Sequence, residues 1–213
     1  MKSYTNHFKD TAFAKAFAIS FLMLIASLFI NFYASSYATE KASNPVTDII
    51  LDHIPVFDVE GIFIWGSFVF VGCIVLACLS KPRRIPFALK TIALFVVIRA
   101  MFISLTHLAP FPTHAILDPV KFASYFIFGG DLFFSGHTGL PFLVALIFWD
   151  NRTLRISFIA LAIIFGTVAL MGHLHYSIDV FAAFFIAYAI YGMAEQMFWK
   201  ARAIERAPST SAK

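Results

Sequence analysis

The sequence predicts an all-α membrane protein, a bundle of six transmembrane helices with both termini on the cytoplasmic side. Three observations predict it. Of 213 residues, 60% are hydrophobic and only 13% are charged. An ordinary soluble domain is about a quarter charged, so this chain could not clothe a water-soluble fold of its size. The apolar residues gather in six stretches, each near the roughly 20 residues that a helix needs to cross a hydrocarbon core. The basic residues fall between these stretches, and almost all lie on one side of the membrane.

The elements follow in order. The first stretch, Ala16–Ala34, comes after Lys2, Lys9 and Lys15. A cleaved signal peptide is the alternative, with Ser36 and Ala38 ahead of the cut, although the apolar run is longer than the usual 7–15 residues of such a segment. The second stretch, Gly61–Leu79, carries both cysteines, Cys73 and Cys78. Helical geometry points them to different sides, so no disulfide is expected between them. Lys81, Arg83 and Arg84 precede the third stretch, Phe87–Leu108, which holds Lys90 near its start and Arg99 within it. The fourth, Leu132–Trp149, is followed by Arg152 and Arg155. The fifth is Ile156–Met171 and the sixth Ile178–Trp199, with Lys200, Arg202, Arg206 and Lys213 behind it. The opposite side has only Lys41 and Lys121. Positive residues stay cytoplasmic, so the chain reads as one membrane domain, 1–213, with a cytoplasmic N-terminus (1–15) and tail (200–213). The net charge of +4 is spent on topology and not on a nucleic-acid face.

The outward segments are then Ser35–Glu60, Ala109–Asp131 and Gly172–Ser177. The first contains a weakly amphipathic stretch, Thr47–Val56, expected along the interface. Two outward helix ends carry residues that a membrane helix avoids: Gly129-Gly130-Asp131-Leu132-Phe133-Phe134-Ser135-Gly136-His137-Thr138 and His173-Leu174-His175-Tyr176-Ser177-Ile178-Asp179. Ionisable groups at such depth face a protein interior or a wet cavity.

His175 and Asp179 are four residues apart, which places them on one helix face. A carboxylate beside an imidazole fixes its tautomer and stabilises the imidazolium. Ser135 and His137 sit at the start of the fourth helix, where free amides favour an anion. Gly129, Gly130 and Gly136 let a backbone approach a phosphate. Arg99 lies at a similar depth. Together they read as phosphoryl transfer: arginine, serine and amides balance charge, one histidine attacks phosphorus, and the other protonates the leaving oxygen. Asp131 is either a supporting group or an N-cap of the fourth helix. Other readings are structural: Ser135 bonded to its own backbone, Arg99 paired with a carboxylate to relieve its burial, and His53, His107 and His114 without a role. His173, His175 and Asp179 form an alternative metal set.

Gly130–Thr138 resembles the third signature of the sphingomyelin synthase family, and His175–Val180 resembles the fourth. That family is part of the type 2 phosphatidic acid phosphatase superfamily, six-helix membrane enzymes with an exoplasmic site. The resemblance implies that His175 is the nucleophile and passes through a phosphohistidine, and that Asp179 orients it. It makes His137 acid and then base, and gives Ser135 a hold on the phosphate. Arg83-Arg84 followed by Arg99 only approximates the second signature, and Ile54–Asp58 only echoes the first. The Ser-Arg pair of the phosphatase branch is absent, with Val168 and Ala169 in its place.

The expected activity moves a phospho-alcohol head group from a glycerophospholipid donor to ceramide, diacylglycerol or another lipid alcohol. Hydrolysis by the same site is the alternative, and a transporter or scaffold is the alternative of another class. No metal or organic cofactor and no nucleic acid is implied. Glu40, Asp48, Asp52, Asp58 and Glu60 form an acidic rim against Lys41 alone. Such a rim suits a cationic head group, with Phe133, Phe134 or Tyr176 offering aromatic faces.

Overall fold

The computed structural model describes residues 10–115 and 131–206. Lys2, Lys9, Lys121, Lys213, Gly129 and Gly130 lie outside the described residues. The elements are α1 (Thr11–Glu40), α2 (Glu60–Ser80), α3 (Ile85–Leu105), α4 (Gly136–Ile147), α5 (Arg152–Met171), α6 (Ser177–Met197) and α7 (Trp199–Arg206). Two short 3₁₀ turns, Leu51–His53 and Pro82–Arg84, precede α2 and α3 respectively. Among the described residues there is no strand.

Among the described residues five helices are long and apolar enough to cross a membrane: α1, α2, α5, α6, and α3 with the turn before it. Their outer surfaces suit lipid, since Phe29, Trp65 and Phe185 stand more than half exposed. This fits an integral membrane protein. Helix starts follow ordinary capping chemistry. Asp10 accepts the Ala12 amide at 3.0 Å to open α1, and Asn151 accepts the Leu154 amide at 3.2 Å to open α5.

The fourth stretch departs from expectation. It is helical over only 12 residues, Gly136–Ile147, or about 18 Å at 1.5 Å per residue. The remainder of Leu132–Trp149 is not α-helix, and the reason lies at the upstream end. The Phe134 carbonyl, which would accept the Thr138 amide in a longer helix, accepts Arg99 Nε at 2.9 Å instead. The Thr138 amide goes to Ser135 Oγ at 3.4 Å, so Ser135 is the N-cap. The N-cap reading of Asp131 is thereby corrected. The Thr47–Val56 stretch forms no continuous interfacial helix; only Leu51–His53 is regular, with Leu51 buried.

α1 lies along α3. Beyond Phe13 at its start, its buried residues are small, Ser20, Ser27, Ser35 and Ala38, which lets the two backbones come close where lipid offers no hydrophobic drive between helices. Ser20 and Ser27 return their hydroxyls to the carbonyls of Phe17 and Leu24. α4 packs between α5 and α6 around a core that includes Phe95, Phe134, Leu143, Phe148, Phe158 and Phe165. Cys73 and Cys78 are both free thiols.

At the start of α3, Arg84 is buried and ion-paired to Asp150 and Glu205. It also donates to the Ile147 carbonyl at 3.1 Å and lies over the Phe148 ring. Lys81 joins at Asp150 and Arg202 joins at Glu205. Hydrogen bonding by Arg84, reinforced by Lys81, outweighs burial and holds the Asp150 carboxyl well below the usual carboxylate range. This cluster ties the α2–α3 turn, the α4–α5 connection and α7 together. It stands about 20 Å along α3 from Arg99, so it braces one end of the bundle while Arg99 serves the other.

Candidate active site

The site is built at two helix starts that share one backbone bond. α5 ends in a Schellman turn, with Leu174 N–H on Ala169 O at 2.8 Å and His173 N–H on Leu170 O at 3.0 Å. His173 occupies the left-handed position at φ 52°, where glycine is usual. Its ring turns away from His175: Nδ1 donates to the Thr113 carbonyl at 2.8 Å, and the ring packs on Phe111. Among the described residues no group of three or more His, Cys, Asp or Glu side chains comes together to hold a metal. The alternative set of His173, His175 and Asp179 is therefore not assembled.

His175 precedes α6, which begins at Ser177. The expectation that helical spacing puts His175 over Asp179 is corrected here. The two meet because Asp179, in the first turn, reaches back to cap its own helix: Oδ2 accepts the Tyr176 amide at 3.0 Å. That fold brings His175 Nδ1 to 3.6 Å from Asp179 Oδ2, with the carboxylate fully buried and the imidazole nearly so. His175 Nδ1 and Asp179 Oδ1 are both buried without a hydrogen-bond partner among the described residues. Nδ1 is the ring nitrogen that faces the carboxylate.

The second helix start is fastened to the first. Ser135 N–H donates to the Asp179 carbonyl at 3.0 Å. Ser135 itself is buried, and its Oγ also accepts Thr138 Oγ1–H at 3.1 Å. Gly136 and His137 follow in the first turn of α4, where amides have no intrahelical acceptor. His137 is partly exposed and lies within electrostatic reach of His175 and Arg99. Gly136 allows this approach: a Cβ there would sit 3.2 Å from Arg99 Nε.

Arg99 is buried and largely committed. Besides the Phe134 carbonyl it binds Asp131 twice, at Oδ2 (3.0 Å) and at the backbone oxygen. Asp131 Oδ2 also receives Ser35 Oγ of α1 at 3.4 Å. The structure thus gathers His137, His175, Asp179, Ser135, Gly136, Arg99 and Asp131 around two adjoining helix starts, with Arg99 and Asp131 paired to each other. Among the described residues His53 and His114 bond nearby carbonyls, and His107 packs on Tyr37.

Asp48 and Tyr176 are the residues whose roles the sequence did not disclose. Asp48 is 7% exposed and is no part of a solvated rim. Oδ1 accepts the amides of Ile50 (2.9 Å) and Leu51 (3.1 Å), and Oδ2 accepts the Ser177 amide at 2.7 Å. Tyr176 accepts the Val46 amide at 3.2 Å and donates to the Ala109 carbonyl at 3.0 Å. These bonds pin the loop between α1 and α2 onto the turn that carries His175. Val59 of that loop reaches Gly172, where a Cβ would meet it at 2.3 Å. Phe134 and Tyr176 are fully packed, so neither offers a ring face to a head group; Phe133 is partly exposed.

Burial alone would push the Asp48 carboxyl up, but hydrogen bonds from Ser177, Leu51 and Ile50 win and hold it below its ordinary 3.8. A depressed folded pKa adds stability that is present above the unfolded value and fades as pH falls through the folded one. Asp48→Asn places an NH₂ against a backbone N–H, and hydrogen bonds to a charged group contribute about 1.5–3 kcal/mol. The variant is expected to melt lower at neutral pH and to lose part of the acid-side decline below about pH 4. Thermal melts in lipid nanodiscs across pH check both, and an unchanged melting point at neutral pH would refute the anchoring role.

No curated protein and no solved structure matches this chain. Residues 129–197, which hold Ser135, His137, His175 and Asp179, match the family model described as PAP2 superfamily C-terminal; the match covers about a third of the chain and supports the type 2 phosphatidic acid phosphatase superfamily.

Proposed function

We propose that this protein is an integral-membrane lipid phosphotransferase. It moves a phospho-alcohol head group, of the phosphocholine or phosphoethanolamine kind, from a glycerophospholipid to a second lipid alcohol, much as sphingomyelin synthases do. One observation carries the reading: the Ser135 amide on the Asp179 carbonyl joins the helix start bearing His137 to the turn bearing His175.

In the first half-reaction His175 Nε2 attacks phosphorus. The N–P bond forms, the P–O bond to the diacylglycerol oxygen breaks, and His137 supplies the proton that the departing alkoxide takes. Asp179 holds Nδ1–H and stabilises positive charge on the ring. The α4 amides, with the nearby positive charge of Arg99, offset the charge on the equatorial oxygens. In the second half-reaction His137 takes the acceptor's proton as its oxygen displaces His175. The distribution of Lys and Arg supports an exoplasmic site.

The superfamily supported by the match also fits a lipid phosphatase, in which water is the second nucleophile. Val168 and Ala169 stand buried and apolar where the phosphatase branch carries Ser-Arg, which favours the transferase. The test is reconstitution with head-group-labelled glycerophospholipids and ceramide, followed by lipid mass spectrometry. Release of diacylglycerol with label on ceramide and an acid-labile phosphate on His175 is expected. No diacylglycerol release from any donor would overturn the reading.

A further inference from the structure

A phosphohistidine is open to any hydroxyl that can reach it, so the surroundings of the base determine the product. His137 packs against two apolar rings. Phe63, near the outer end of α2, contacts it at 4.1 Å between centroids with the planes 40° apart, and Phe165 of α5 stands on it at 5.9 Å. At the shorter distance the rings touch, and no water fits between them. Phe63 is buried against Val168, with Val59 and Leu174 in the same cluster, and Phe165 is buried in the main core. A water molecule held for in-line attack needs two or more polar partners, and the two phenyl rings supply none.

We infer that Phe63 is a specificity-determining residue that keeps water from His137 and so directs the phosphohistidine to a lipid alcohol. The inference rests on the phosphotransfer reading above. In the second half-reaction the N–P bond at His175 breaks as an O–P bond forms to the incoming hydroxyl oxygen, and the hydroxyl proton passes to His137. Water and a lipid alcohol both satisfy this balance. Water yields the free phospho-alcohol, whereas the lipid alcohol yields a new phospholipid. Exclusion of water from the closed site is what separates the two outcomes.

The experiment measures free against lipid-transferred label in vesicles of head-group-labelled phosphatidylcholine and phosphatidylethanolamine containing ceramide. Phe63→Ala is expected to raise that ratio on the order of tenfold, a shift that loss of fold alone would not produce. Phe63→Leu, which stays apolar, is expected to leave the ratio within about twofold. Phe63→Gln keeps most of the volume and adds a water-binding group, so it too is expected to raise the ratio, and it serves where the alanine variant unfolds. Diacylglycerol release with an unchanged ratio in the alanine or glutamine variant would overturn the role of Phe63. Absence of diacylglycerol release in the unaltered protein would instead remove the phosphotransfer reading on which it stands.

Discussion

Replacing His175 by alanine is expected to abolish diacylglycerol release, with a fall of about 10⁴-fold or more, the scale seen when a covalent nucleophile is removed. The fold should survive. His175 stands ahead of α6, and its Nδ1 makes no hydrogen bond with the described residues, so truncation removes no structural bond there. The melting temperature of the variant in nanodiscs is the control, and it should stay within a few degrees of the parent for a change below about 1 kcal/mol. Turnover that persists in a well-folded His175→Ala protein would end the enzyme reading. A transporter or scaffold would then regain ground, although the ionisable groups gather at adjoining helix starts instead of along a path through the bundle.

The second large effect is expected at Arg99, where structure and chemistry are coupled. Arg99→Leu removes the Arg99 donors from the Asp131 carboxylate, which keeps the Ser35 hydroxyl, and from the carbonyls of Asp131 and Phe134. Removing one partner of a largely buried ion pair costs about 3 kcal/mol or more. The segment released runs directly into Ser135 and His137, and a misplacement of about 1 Å at a reacting group lowers a rate about 10²-fold. Both the melting temperature and turnover are therefore expected to fall. Arg99→Lys keeps the charge but lacks the planar fork that serves three acceptors at once; it should recover part of the stability and little of the activity. A parental melting temperature in Arg99→Leu would show that the pinning has no energetic weight.

Composition alone disclosed the membrane class, because 13% charge cannot clothe a soluble fold. The apolar runs located the long helices to within a few residues, except α1, which the structure extends from Ala16–Ala34 to Thr11–Glu40. They overstated α4, because the interruption comes from Arg99, distant in sequence, taking the carbonyls a longer helix needs. His175 and Asp179 were paired for a reason the structure replaces: the carboxylate caps α6 and thereby meets a histidine that lies outside the helix. Asp48 illustrates the limit of local pattern. Its acidity in an outer loop was plain, but its partner, the Ser177 amide, is 129 positions away, and no spacing rule spans that distance. Phe63 was hidden for a similar reason, as one of 27 phenylalanines whose position against His137 only packing discloses. Arg83-Arg84 drew notice as a signature, yet Arg84 proves to be a brace far from the site.

The hydrogen bond from the Ser135 amide to the Asp179 carbonyl has a wider consequence. It is a main-chain link, so no exchange of side chains at either position removes it, proline at Ser135 excepted. The helix starts that carry the two histidines are accordingly joined through the chain's own skeleton. Substitutions can redraw the walls around them while that joint stays as it is.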